Sequence, residues 1–91
     1  QGKVVRQDIP DLYKLVGCCN IYSNVEDMYK WGNALYTDKL VKKATLKKIF
    51  TPGLNDYANG WFISTVNGRK VAMHGGGCDG VNNRMIRYVD E

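Results

Sequence analysis

The sequence predicts an α+β fold in which two helices precede a three-stranded antiparallel meander. Three observations carry that prediction: a helical apolar period opens at Ser23, an Asn67-Gly68 pair joins two runs of aromatic and β-branched residues, and a third such run follows a glycine-rich stretch.

Residues 1–16 mix Val4-Val5 and Ile9-Pro10 with charges and show no sustained 3.6-residue period, so they read as an extended lead-in to a domain at 17–91. Ser23-Asn24-Val25-Glu26 fits a capping box, with the Ser23 hydroxyl accepting from the Glu26 N–H. The first helix is expected to run from there to about Tyr36. Val25, Met28, Trp31 and Leu35 would form its apolar side, and Glu26, Asp27, Lys30 and Asn33 its wet side. Gly32 weakens such a helix by about 1 kcal/mol relative to alanine.

A second helix is expected over 43–50, with Leu46, Ile49 and Phe50 as its buried stripe, Pro52-Gly53 as its stop and no good residue to cap its start. Residues 60–66 then read as a strand, Asn67-Gly68 as a two-residue hairpin turn and 69–74 as the return strand. The glycines at 75–77 read as a loop, and 85–89 as the third strand.

At 91 residues the chain makes one small domain, which buries only about 60% of its unfolded surface and leaves little room for a deep cleft. No apolar run approaches the roughly 20 residues that a membrane span needs. The first residue is Gln1 and the last apolar stretch breaks off at Glu91, so the chain reads as a piece of a longer protein. The charge of +4 gathers at Lys39, Lys42, Lys43, Lys47 and Lys48, but no aromatic residues alternate with these lysines to stack bases. Nucleic acid is therefore not the expected partner.

The densest chemistry lies at 73–80, MHGGGCDG, which holds the single histidine. Gly75 to Gly80 matches G-x-G-x-x-G, yet a strand pattern follows rather than the helix whose N-terminus would hold a pyrophosphate. Cys18, Cys19, His74 and Cys78 sum to four zinc-type ligands, but adjacent cysteines are expected to point apart and no C-x-x-C is present. Small, inert thiols are the expectation. An HGGG loop of the lipase type needs a G-x-S-x-G elbow, and neither Ser23 nor Ser64 has the flanking glycines.

Five spaced segments agree with one family. Residues 21–31 (IYSNVEDMYKW), 50–52 (FTP), 57–62 (YANGWF), 74–77 (HGGG) and 87–90 (RYVD) together resemble the C-terminal part of the β-lactamase-related serine hydrolases. That family includes class C β-lactamases, penicillin-binding D-alanyl-D-alanine peptidases and related esterases. The resemblance runs from about Gly17 to the end. It implies that residues 17–91 form part of the α/β sandwich domain of a β-lactamase-like hydrolase.

By that resemblance, His74-Gly75-Gly76 matches the family's K-T-G or H-x-G element, whose strand lines one wall of the acyl-transfer site. His74 would shape the field around the catalytic hydroxyls, Gly76 would leave space for substrate, and Gly77 would offer an oxyanion-hole N–H. The S-x-x-K element is not in this sequence: Ser23 has Glu26 three residues on, and Ser64 has Asn67. Tyr22-Ser23-Asn24 and Tyr57-Ala58-Asn59 match Y-x-N only by chance, since the family's tyrosine belongs further upstream. Gly17-Cys18-Cys19-Asn20 departs from the glycine and alanine usual there.

The parent protein is thus expected to hydrolyse a peptidoglycan-like peptide, a β-lactam or an ester without a cofactor, while this chain alone is expected to be inactive. Members of the family are often exported; this sequence carries no signal that fixes a compartment. Two alternatives stay open. The HGGG run would be a plain glycine-rich turn, or the chain would be a non-catalytic interaction module that self-associates or binds a partner through an exposed sheet edge.

Overall fold

The two helices and three strands appear in the expected order in the computed structural model, which describes residues 2–6 and 17–90. Most of the expected lead-in lies outside the described residues, and residues 2–6 carry no helix or strand.

Helix α1 (Val25–Ala34) starts one residue later than the capping box predicts. Asn24 is the cap: its backbone is extended and its Oδ1 accepts from the Asp27 N–H at 2.8 Å. The Ser23 hydroxyl reaches only the Asn24 carbonyl, at 3.4 Å. The shift has a simple cause, because Asn24 caps as well as serine does and Asp27 stands three residues on; Asn24 Nδ2 donates to Asp27 Oδ2 at 3.2 Å.

The buried side of α1 also departs from the expected stripe. Val25 is 86% exposed and Met28 only partly covered, at 38%, whereas Gly32 and Leu35 face the sheet. A Cβ at position 32 would lie 2.7 Å from Met85 Cε, so the missing side chain is what lets the helix approach the sheet this closely. Trp31 rests on Trp61 in a stack with 5.9 Å between ring centroids.

Helix α2 (Lys43–Ile49) has no side-chain cap at its start, as expected, and Phe50 closes its end. Thr51 Oγ1 donates to the Lys47 carbonyl at 2.6 Å and stops the last turn. A 3-10 turn (Leu54–Asp56) then reverses the chain through left-handed Asn55 and Asp56, and a bridge pairs Tyr57 with Phe62.

Strands β1 (Phe62–Val66), β2 (Arg69–Cys78) and β3 (Val81–Tyr88) form the meander in the order β1-β2-β3, antiparallel throughout. Asn67 and Gly68 both take positive φ, the signature of a type I′ turn that matches the strand twist. One face of the sheet carries Ile63, Ala72, Met85 and Arg87 toward the helices, where Leu35, Phe50, Ala58 and Trp61 complete the core. Ala72 is fully buried at its centre. On the other face Phe62 and Ile86 are open to solvent.

Arg87 is the anomaly of this core. It is 5% exposed, its guanidinium lies 4.1 Å from the centre of the Tyr36 ring and 4.7 Å from that of Phe50, and Nε, Nη1 and Nη2 have no hydrogen-bond partner among the described residues. The two ring faces attract the cation, but its buried N–H donors stay unmet. Tyr36 is itself fixed by a 2.7 Å bond from its hydroxyl to the Tyr88 carbonyl.

Two stability outcomes follow. Arg87→Met keeps the stem between the rings and deletes the unmet donors, so thermal unfolding should show equal or higher stability, by up to about 2 kcal/mol, while Arg87→Ala opens a cavity and loses about 2 kcal/mol or more. Gly32→Ala should stay within about 1 kcal/mol of the parent because the Met85 methyl can swing aside and alanine favours the helix, but Gly32→Leu should cost about 1–3 kcal/mol.

Candidate functional site

The glycine run is strand, not loop. Gly75, Gly76 and Gly77 pair with Arg84, Asn83 and Asn82, and β3 accordingly begins at Val81 rather than Met85. The turn falls instead at Asp79-Gly80, where Gly80 takes φ 76°. None of the three glycines has a positive φ, so their backbone would accept other residues. What they contribute is the absence of side chains.

Pairing with β1 ends at Phe62↔Met73, so beyond it β2 is bonded to β3 alone. Over 74–78 the opposite edge of β2 meets no strand among the described residues. The backbone direction along that edge follows from the register. Val89 N–H donates to the Lys70 carbonyl at 3.0 Å, and the β2–β3 pairing runs unbroken from Val71 to Cys78. In an antiparallel ladder the hydrogen-bonding direction alternates residue by residue. His74, Gly76 and Cys78 therefore turn their N–H and C=O groups toward β3, and Gly75 and Gly77 turn theirs toward the open edge.

His74 stands where that edge opens. Its imidazole is exposed, and Nδ1 lies 2.6 Å from the Gly75 carbonyl, a contact that makes Nδ1–H the donor and leaves Nε2 as an acceptor in the neutral ring. Phe62 and Tyr57 flank it, with ring centroids 5.9 and 6.2 Å from the imidazole and 4.6 Å from each other. Sequence reasoning missed both of these residues. Both lie in the 57–62 segment that carries part of the family resemblance, but their place beside the imidazole depends on the pairing of β1 with β2.

The three glycines differ in how tightly they are held. A Cβ on Gly76 would come 3.0 Å from Asn83 Oδ1, one on Gly77 3.3 Å from the Val81 carbonyl oxygen, and one on Gly75 3.4 Å from the Asn83 carbonyl oxygen. Only the first of these obstacles is a side chain that can rotate away.

The cysteines correct another expectation. Cys18 and Cys19 do not point apart: their side chains hydrogen-bond to each other, and that bond raises the Cys18 thiol pKa above the ordinary range. Among the described residues no three His, Cys, Asp or Glu side chains group so as to hold a metal ion.

These contacts generate two expectations. Gly76→Ala should leave the melting temperature nearly unchanged as Asn83 swings away, whereas Gly77→Ala presses on β3 backbone and should cost about 1 kcal/mol. Iodoacetamide should modify Cys18 slowly for so exposed a thiol, and Cys19→Ala should speed that reaction by removing the bond that holds the proton; equal rates in the two proteins would count against it.

Comparison with known proteins gives two relatives. The chain is 40% identical over 64 residues to the penicillin-binding protein PbpX of Bacillus subtilis (strain 168), and 37% identical over 78 residues to penicillin-binding protein 4* of the same organism. The matches take in 69% and 77% of this chain but 16% and 17% of those proteins, so it spans about a sixth of each relative's length. No family model and no solved structure matches.

Proposed function

Because this chain belongs to the β-lactamase-related penicillin-binding protein family, we propose that it forms one wall of an acyl-transfer site in a serine hydrolase of that family. The observation that carries the proposal is the open edge of β2 over 74–78, where side-chain-free backbone faces outward beside an exposed imidazole.

In this reading a substrate carbonyl lies along that edge. The Gly77 N–H points to where the oxygen's negative charge develops, and such donors act at full strength only when aimed beforehand. Gly76 keeps the approach clear because it has no side chain to block it. His74, held by the Gly75 carbonyl, offers its Nε2 lone pair as an acceptor for a nearby hydroxyl proton.

The attacking serine and its lysine stand in a part of the protein other than this sequence, which has no S-x-x-K. The serine oxygen would bond to the carbonyl carbon and the amine or alcohol would leave with a proton. Water would then hydrolyse the acyl-enzyme and return the serine. Peptidoglycan-like peptides, β-lactams and esters all present such a carbonyl.

Labelling with a fluorescent penicillin tests this reading. The 91-residue chain alone should not label, while a longer polypeptide that places an S-x-x-K segment before it should, and His74→Ala there should slow acylation by about 10²-fold or more. Labelling of the chain alone, or a His74→Ala rate equal to the parent's, would overturn it.

The same edge supports a second reading, a non-catalytic module that pairs its strand with a partner or a second copy. Sedimentation at rising concentration separates the two, since only the module is expected to self-associate with no active-site segment supplied.

A further inference from the structure

The chain's positive charge is not spread over its surface. Five lysines fall within residues 39–48, and no aspartate or glutamate occurs from 39 to 55. That stretch contributes +5 against a net charge of +4, so the rest of the chain sums to −1.

All five side chains are exposed. Lys43 and Lys47 lie one turn apart on the solvent side of α2, Lys48 follows them, and Lys39 and Lys42 stand in the turn before. Among the described residues no ion pair involves them; the one that forms, Lys30 with Asp27 at 4.0 Å, is on α1. Lys42 and Lys43 moreover sit at the start of α2, where the helix dipole repels positive charge. Stability alone would place neither of them there.

One more residue decides among anionic partners. Leu40, between the lysines, is 53% exposed, whereas the stretch holds no aromatic ring on which a base could stack. Basic side chains around an exposed aliphatic residue fit a bilayer surface, where the cations meet lipid phosphates and the apolar group enters the headgroup boundary.

We propose that residues 39–48 form a docking surface for an anionic lipid bilayer, lying on the membrane rather than spanning it. Among the described residues no helix is long and apolar enough to cross one. The surface is independent of the acyl-transfer reading.

Cosedimentation with vesicles tests the proposal. The chain should bind equimolar phosphatidylcholine–phosphatidylglycerol vesicles at low salt, bind pure phosphatidylcholine weakly, and lose affinity as salt rises through about 0.15 M. Each lysine reversed among Lys42→Glu, Lys43→Glu and Lys47→Glu should cost about fivefold or more in partitioning, while Lys30→Glu, an equal charge change off the surface, should cost far less. Leu40→Ser should weaken vesicle binding but leave binding to soluble polyphosphate unchanged. Circular dichroism confirms that each variant is folded. Failure to bind the anionic vesicles, equal losses from Lys30→Glu and Lys43→Glu, or insensitivity to Leu40→Ser would each overturn it.

Discussion

The register of β2 against β3 is the constraint on which the rest depends. Side chains alternate between faces and backbone groups between edges, so a slip of one residue would exchange both sets at once. Two short turns hold the register from either end, Asn67-Gly68 before β2 and Asp79-Gly80 after it. With it fixed, Ala72 and Met85 face the helices, while Gly75 and Gly77 present their backbone to the open edge. The core and the candidate site are thus two results of one pairing.

The core joins aromatic contact to aliphatic packing from Leu35, Ile63, Leu46 and Ile49. Trp61 meets Trp31 on one side and Phe50 on the other, the second pair with centroids 5.6 Å apart. Such pairs add about 0.5–1.5 kcal/mol each beyond the area they bury. Gly32 costs α1 some helix propensity but brings it onto Met85, the cross-strand partner of His74. Packing of α1 against the sheet therefore reaches the strand pair that carries the imidazole. Arg87, two pairs further along on the same face, places a cation with unmet donors in the same layer, and among the described residues the Tyr36 and Phe50 rings compensate it.

The open edge is equally a chemical resource and a hazard. Unpaired N–H and C=O groups invite another strand, and glycines put no side chains in its way. In the hydrolase reading that strand is the substrate's own backbone. Tyr57 and Phe62, brought beside His74 by the left-handed turn at Asn55 and Asp56, wall the end of the opening where β1 begins.

Local rules settled a good deal of this protein. The α+β order, the uncapped start of α2 and the Asn67-Gly68 hairpin were legible because each depends on residues adjacent in the chain. The likeness to penicillin-binding proteins was legible as well, in short runs of neighbouring residues. Choices between near-equal local options were not, and the cap went to Asn24 rather than Ser23 on a difference of one position. The glycine run reads as a loop in isolation because glycine has little strand propensity. Only tertiary structure made it strand: β3 supplies a hydrogen-bonding partner along its whole length, a long-range gain that outweighs the local entropy cost. Which glycine amide faces the open edge, and which rings flank the imidazole, was likewise decided by strand pairing between distant residues, information that no single stretch of sequence contains.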